Sequence, residues 1–412
     1  MSLESKIVII GAGHAGGTAA ATLREYGHRG AICIVGDEPY LPYQRPPLSK
    51  AFLKGSADTA SLFLKNAAFY AENDIEVRTE QSVASIDRSA RRVTLAGGDV
   101  LPYDFLVLAT GARARQLPVP GANLGNILSL RGIDDAERLK KALQPGCRVA
   151  IVGGGYIGLE VAASARALGL EVTIIEREAR LLARVASEPL ARFFERIHQQ
   201  HGVRILCNAH MSHFEGDRDV SAVCLEDGQR IACDVALVGV GAQPRDELAR
   251  GAGLHCENGV AVDLDARTSD PAIFAIGDLS WRPMPVYGER MVRLESVPNA
   301  TEQARQLACA VVGKPRPAVE VPWFWSDQYE VKLQIAGLPF DADRQVVRGS
   351  PEQGRFAVFH LHGNRVVTVE AAGSPLDFIA GKQFILNRTE VSPEKLADVS
   401  VKAKDAVLAV RA

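Results

Sequence analysis

Two copies of one short glycine pattern constrain this chain more than any other feature of its sequence. Residues 149–153 form an apolar run that enters Gly153-x-Gly155-x-x-Gly158, and a helical pattern follows with Leu159, Val161, Ala162, Ala165 and Leu168 directed inward. Gly169 ends that pattern, and a second apolar run, 172–175, ends on Glu176. The same construction stands near the N-terminus: a strand over 6–10, Gly11-x-Gly13-x-x-Gly16, a helix to about Tyr26, a strand over 31–35, and Asp37 two residues later. Each glycine has a task in such a turn, namely a tight reversal, a close backbone approach to a pyrophosphate, and close helix–strand packing. The helix N-terminus behind them offers free N–H groups and the positive end of a dipole. A carboxylate closing the second strand accepts from ribose hydroxyls and repels a 2′-phosphate, so Glu176 favours NADH over NADPH.

Two complete fingerprints imply two bound dinucleotides, one an FAD prosthetic group and the other a nicotinamide substrate, with hydride passing between them. They also imply an α/β fold of two Rossmann-like dinucleotide-binding domains. The 412 residues leave room for two to four domains. A formal charge of −2 gives no case for nucleic acid or an anionic membrane as partner. No apolar run approaches the ~20 residues needed to span a bilayer. The N-terminus enters a strand at once without a signal segment, so a soluble, cytoplasmic protein is expected. The seven cysteines (33, 147, 207, 224, 233, 256 and 309) form no Cys-x-x-Cys pair. Neither a local redox disulfide nor a thiolate metal cluster is therefore expected. Cys207, His210 and His213 read as polar residues around a strand and loop, with no metal expected.

Between the fingerprints, residues 40–50 form a proline-stiffened loop carrying Arg45 and Lys50, with Ser49 placed to cap a short helix. Short β patterns follow at 75–78, 82–87 and 92–95, then a buried strand that ends in the Gly111 turn. Residues 234–244 repeat that last pattern behind the second fingerprint, so the chain contains two related halves, the second inserted into the first. An apolar strand delivers Gly277-Asp278, where Asp278 is placed either to accept from a ribityl hydroxyl or to serve as a turn or helix-capping aspartate, and a helix covers 300–312. The remainder alternates short β patterns with a helix at about 375–386, the signature of a small C-terminal α+β domain. The expected division is 1–115 and 247–318 for FAD, 116–246 for NAD, and 319–412 for the C-terminal domain.

Six stretches carry a resemblance along nearly the whole chain: Arg-Pro-Pro-Leu-Ser-Lys (45–50), Leu-Ala-Thr-Gly (108–111), Gly-Gly-Gly-Tyr-Ile-Gly-Leu-Glu (153–160), Ile-Gly-Asp (276–278), Glu-Ser-Val-Pro-Asn (295–299) and Pro-Trp-Phe-Trp-Ser-Asp-Gln-Tyr (322–329). They resemble the FAD-dependent, NADH-using reductases of [2Fe–2S] ferredoxins that serve bacterial cytochrome P450 and ring-hydroxylating oxygenase systems. The resemblance implies a glutathione-reductase-like fold. It implies FAD contacts from Gly11, Gly13, His14, Ala15, Asp37, Arg45, Lys50, Val83, Ala109, Thr110, Gly111, Arg131, Gly277, Asp278 and Val297, with Trp325 at the flavin edge. NADH would be held by Gly153, Gly155, Gly158, Glu160, Glu176 and the Gly241 turn, with Tyr156 and Ile157 near the nicotinamide. The resemblance also implies a lysine and a glutamate that approach each other beside the flavin's reacting atom, where they tune and orient, and Lys50 and Glu160 match them.

Disulfide reductases of this fold need a cysteine pair near the first helix, where this chain has Leu41-Pro42. Electrons therefore pass from flavin directly to an outside acceptor, singly to a ferredoxin. Ferredoxins of this type are usually acidic, so a local basic docking patch is expected, with Arg305, Lys314, Arg316 and Lys382 as candidates. A monomer is the favoured state. Two rivals are a rubredoxin or broad-acceptor NADH reductase and a flavin redox sensor like apoptosis-inducing factor.

Overall fold

The computed structural model describes residues 3–408. The expectation about the very start of the chain, that no signal segment precedes the first strand, reaches into residues 1–2, outside the described residues. By contact the chain divides into two compact units. One comprises Met1–Arg45, Ala60–Arg113 and Gln243–Pro322; the other comprises Pro46–Thr59, Ala114–Ala242 and Trp323–Ala412.

Each unit is built around a five-stranded parallel sheet, and the two sheets share one plan. In the first unit the order is Ile273–Ala275, Phe105–Leu108, Ile7–Ile10, Ile32–Val35, Ile75–Arg78. In the second it is Ile127–Leu128, Val235–Val238, Arg148–Val152, Glu171–Ile175, Arg204–Leu206. The strand preceding each glycine turn is central in both. Central parallel strands are covered on both faces and read as continuous apolar runs, and Ile7–Ile10 and Val149–Val152 are buried throughout. Each unit also carries a three-stranded antiparallel meander, Val83–Asp87, Arg92–Leu95 and Val100–Pro102 in one, Met211–Gly216, Val220–Leu225 and Arg230–Ala232 in the other. Duplication thus extends beyond the glycine turns to whole half-domains.

The C-terminal part of the second unit is an antiparallel sheet ordered Trp323–Gln328, Val331–Gly337, Arg365–Ala372, Arg355–His362, Arg344–Ser350, with the Pro375–Asn387 helix against it. The α+β character expected there is present. The strand Arg344–Ser350 has no counterpart in the sequence reading because a buried arginine interrupts its apolar alternation. The Arg348 guanidinium bonds Asp377 at 2.9 Å and the carbonyls of Leu396, Asp398 and Val401.

Three local expectations need correction. Leu168 is 42% exposed and does not face inward, because the helix ends at Ala167 and the chain reverses at Gly169, φ +81°. The helix expected from 300 begins at Val297: Ser296 caps it by accepting from the Asn299 N–H, and Pro298 occupies its first turn. Ser49 caps nothing; it closes a 3-10 turn, Pro46–Ser49, and its hydroxyl points elsewhere.

Candidate dinucleotide sites and a buried ion pair

Glycine geometry at both turns answers the pyrophosphate expectation. A Cβ on Gly11 (φ +115°) would stand 2.3 Å from the Ala109 carbonyl oxygen, and one on Gly153 (φ +108°) 2.5 Å from that of Gly239. Gly16 and Gly158 are equally shut, their notional Cβ atoms 2.1 and 2.4 Å from the Gly11 and Gly153 carbonyl oxygens. The middle glycines differ. Gly155 faces open space, and Gly13 has only the Arg45 guanidinium at 3.9 Å. Turn and packing therefore consume the outer glycines, while the middle one leaves room for a ligand to reach backbone.

The helices behind these turns, His14–Glu25 and Tyr156–Ala167, have glycine at the N-cap, no side-chain cap and no acid in the first turn. The helices starting at Ala67, Glu188, Val297 and Pro393 are instead capped by Asn66, Ser187, Ser296 and Ser392. An uncapped, glycine-lined N-terminus leaves N–H donors and positive dipole for an anion, which is what a pyrophosphate requires. Both turns fit a dinucleotide.

In the first unit, His14, Arg45 and Asp278 converge on that N-terminus. Burial lowers the His14 pKa, Asp278 opposes the shift and Arg45 reinforces it. His14 Nδ1 is buried without a hydrogen-bond partner, an orphan that a bound cofactor would satisfy. Gly277, φ +74°, lies against Ala15, and its N–H donates to Gln303 Oε1 at 2.8 Å. Ala109 is buried beside the turn, Gly111 accepts from the Arg245 N–H, and the Thr110 hydroxyl donates to the Arg245 carbonyl. Asp37 pairs with Arg245 at 2.9 Å, and its neighbour Glu38 pairs with Arg45 at 3.5 Å. Val83 begins the first meander and Val297 the last helix of this unit.

In the second unit Glu176 accepts from the Gly154 N–H at 2.6 Å and the Glu178 N–H at 2.8 Å, which fixes its carboxylate at the mouth of the turn. Gly241, φ +106°, lies open beyond the Val235–Val238 strand. The Tyr156 hydroxyl donates to the Val185 carbonyl at 3.2 Å, and its ring meets Phe324 edge-on at 5.0 Å. Burial, with the Glu370 carboxylate adding, raises that hydroxyl's pKa well above its usual value. Ile157 is 45% exposed, unusual for isoleucine in the first turn of a core helix.

Lys50 and Glu160 do meet. Lys50 Nζ lies 2.6 Å from Glu160 Oε2, and the carboxylate is only 5% exposed. Glu160 also accepts from the Ser49 hydroxyl at 2.5 Å and, through its other oxygen, from the Ser326 hydroxyl at 2.7 Å. Ser49 and Ser326 were absent from the sequence reading as site residues. Period-two alternation along Trp323–Gln328 places Phe324, Ser326 and Gln328 on one face, a legible signal for the latter.

Lys50, Arg131 and Trp325, expected beside the flavin, belong to the second unit, whereas the remaining FAD candidates belong to the first. Arg131 precedes the Ile133–Ala142 helix and its N–H donates to Asp135. Trp325 stands 5.7 Å from Trp323, ring to ring. Of the docking candidates, Arg305 and Arg316 are paired with Glu320 and Asp265, and Lys314 and Lys382 lie over the rings of Tyr26 and Trp323. All seven cysteines are free, and burial pushes the Cys33 thiol up to about 12. Among the described residues no group of three or more His, Cys, Asp and Glu could hold a metal, and no helix is long and apolar enough to cross a membrane.

A family model described as pyridine nucleotide-disulphide oxidoreductase matches residues 5–304, and one described as reductase C-terminal matches 323–407. The chain is 49% identical to a probable ferredoxin reductase of Castellaniella defragrans, with 97% of this chain and 98% of the other covered. It is 42% identical to a putidaredoxin reductase of Pseudomonas putida, with 100% and 99% covered. The crystal structure of a covalent putidaredoxin reductase–putidaredoxin complex superposes with a TM-score of 0.95 at 42% identity, covering 98% of both chains.

Proposed function

This chain belongs to the pyridine nucleotide-disulphide oxidoreductase family and, within it, to the ferredoxin reductases; on that premise we propose that it carries electrons from NADH through FAD to a [2Fe–2S] ferredoxin feeding a cytochrome P450 or a ring-hydroxylating oxygenase. The overall reaction is NADH plus two oxidised ferredoxins giving NAD⁺, two reduced ferredoxins and a proton. The observation that carries this reading is the pair of uncapped, glycine-lined helix N-termini in a chain with no cysteine between Cys33 and Cys147. Such a chain binds two dinucleotides and has no disulfide in the position where this fold would use one.

FAD supplies the conversion of a two-electron hydride into single electrons. The protein's part is to bind and orient. Gly11 shapes the turn, and Gly13 with the N–H groups of His14 and Ala15 would receive the FAD pyrophosphate, neutralised by Arg45; Asp37 and Asp278 would accept from ribose and ribityl hydroxyls. Val83, Ala109, Thr110, Gly111, Arg131, Gly277 and Val297 complete the FAD surface, with Trp325 at its edge. Gly153 and Gly158 shape the turn that would hold NADH, Gly155 leaves its pyrophosphate room to reach backbone, Glu160 and the Gly241 turn would help hold it, and Tyr156 and Ile157 would lie near the nicotinamide. Glu176 accepts from the ribose and disfavours a 2′-phosphate. Lys50 and Glu160 would tune and orient the reacting ends, without either acting as a nucleophile. The proposed domain division assigns 1–115 and 247–318 to FAD, 116–246 to NAD and 319–412 to the C-terminal domain. Arg305, Lys314, Arg316 and Lys382 are proposed to meet an acidic ferredoxin. We place the protein in the cytoplasm, where NADH is available.

The test is NADH-driven reduction of a panel of purified bacterial [2Fe–2S] ferredoxins, with rubredoxin and oxygen as controls. Rapid, saturable reduction of one [2Fe–2S] protein, weakened by salt, is the expected result. Preferential reduction of rubredoxin, or a long-lived NADH-bleached state that reduces nothing, would overturn it in favour of a broad-acceptor reductase or a redox sensor.

A further inference from the structure

The Lys50–Glu160 pair is one end of a longer buried structure within the second unit. Beyond Ser326, whose hydroxyl donates to Glu160 Oε1 at 2.7 Å, Gln328 Nε2 donates to Ser326 Oγ at 3.2 Å. Gln328 Oε1 lies 2.9 Å from His198 Nε2, and His198 Nδ1 lies 3.1 Å from the Tyr329 hydroxyl. Ser326, Gln328 and His198 are at most 1% exposed. The chain therefore links the helix Tyr156–Ala167, the strand Trp323–Gln328 and the helix Glu188–Gln200 through side chains shielded from water.

Its hydrogen bonds have one direction. A carboxylate paired with Lys50 can only accept, so Ser326 must donate to it. The serine oxygen must then accept from the Gln328 amide N–H, which leaves Oε1 of that amide to accept from His198 Nε2–H. Nδ1 of the same ring is left as an acceptor and accepts a hydrogen bond from the Tyr329 hydroxyl. Burial, the largest influence on it, lowers the His198 pKa to about 4, so the ring is neutral near pH 7 and one tautomer suffices. Reversal would require Gln328 to rotate half a turn and His198 to exchange tautomers together. An amide in the middle is also a poor proton carrier, so the chain orients without conducting.

A second observation marks the far end as built for this task. Tyr329 has φ +53° at the first position of a two-residue hairpin, between Gln328 and Val331. Glycine or asparagine is the usual occupant of such a conformation, and a bulky residue there is strained. The tyrosine is held there by its hydroxyl on His198 and its ring stacked on His201 at 3.7 Å. Strain tolerated at one residue points to a role for that residue.

We propose that Tyr329, His198, Gln328 and Ser326 form a one-way positioning chain that holds the Glu160 carboxylate, and through it the Lys50 ammonium, in a single orientation for hydride transfer. This rests on the assignment of Lys50 and Glu160 to the reacting end. It adds four residues, contributed by the C-terminal sheet and the Glu188–Gln200 helix, that act on the reaction through Glu160. It also explains the polar half of the Ser-Asp-Gln-Tyr segment, whose Ser326, Gln328 and Tyr329 are all links.

The test uses FAD-loaded protein with ¹⁵N-labelled histidine, His198 being assigned by its loss in His198→Gln. Proton-coupled nitrogen NMR near pH 7 is expected to show His198 neutral with its proton on Nε2. In Tyr329→Phe, which keeps the ring and its stack, the Nδ1 signal is expected to shift. Stopped-flow reduction by NADH is expected to slow about tenfold in Ser326→Ala and Gln328→Leu, with the NADH dissociation constant unchanged and folding verified by thermal melting. A His198 proton on Nδ1, or variants reduced at the parental rate, would overturn the proposal. A parent protein that NADH does not reduce would instead overturn the functional reading, while the tautomer would still decide whether the chain has the stated direction.

Discussion

The glycine turns of the two units are nearly superimposable in kind and different in use. Both have a left-handed first glycine shut by a carbonyl, a last glycine shut by the first, and an isoleucine Cγ2 3.2 Å from where that last glycine's Cβ would stand. They diverge one helical turn later. The fifth residue of the first helix is the half-buried Thr18; that of the second is Glu160, buried and bonded to Lys50, Ser49 and Ser326. The acids differ too, since Asp37 pairs with Arg245 in side-chain fashion whereas Glu176 is fastened to backbone N–H groups of its own turn. The shared backbone leaves an uncapped, glycine-lined helix N-terminus at both turns, and the side chains around the two turns are not shared.

The severest way to break the comparison is to close the shut glycines. Gly11→Ala and Gly153→Ala each place a methyl against a carbonyl at positive φ, and each is expected to cost about 2–4 kcal/mol in urea unfolding. Gly11→Ala should purify without FAD and Gly153→Ala with it; the reverse outcome would exchange the two assignments.

Next in size is the divergent residue. Glu160→Gln leaves Lys50 without its anionic partner and should slow NADH-driven flavin bleaching by about 10- to 100-fold. Thr18→Val at the equivalent position should change that rate less than twofold, and equal losses from both would show that the buried carboxylate has no special part.

The open glycines sharpen the comparison without straining the fold. At Gly13 and Gly155 φ is −87° and −84°, so alanine is conformationally acceptable and should cost no more than about 1 kcal/mol. Its methyl nevertheless occupies the ligand's approach, and affinity for FAD or NADH respectively should fall about tenfold by calorimetry. Undiminished affinity would mean that the pyrophosphate lies elsewhere.

The smallest expected effect lies with the acids. Asp37→Asn removes a surface ion pair worth up to about 1 kcal/mol, whereas Glu176→Ala should narrow the NADH-over-NADPH preference severalfold in KM. An unchanged preference would remove Glu176 from ribose selection.

Much of this was legible in sequence because it is local. A strand–turn–helix with its glycines is specified within about thirty residues, so both fingerprints, their strands and their helix ends stand close to the expected bounds. The helix Glu188–Gln200 escaped the sequence reading although Ser187, Pro189 and the spacing of Leu190, Phe193, Phe194 and Ile197 signal it. That helix carries His198, so its omission hid one link of the polar chain.

By itself, then, the sequence determined two repeated dinucleotide turns, the parallel strands that carry them and the absence of a nearby cysteine pair, since each follows from neighbours along the chain. The meeting of Glu160 with Lys50, 110 residues away, followed from the resemblance and not from any local pattern, and only the tertiary structure decided that Ser326, 166 residues from Glu160, joins them. It alone revealed that His198 and Gln328, 130 residues apart, join them in one buried array. Pattern and propensity act over a few turns of helix or a few strand residues. A buried polar group takes whichever partner the packed chain brings to it, because leaving it unpaired costs more than any local preference can return.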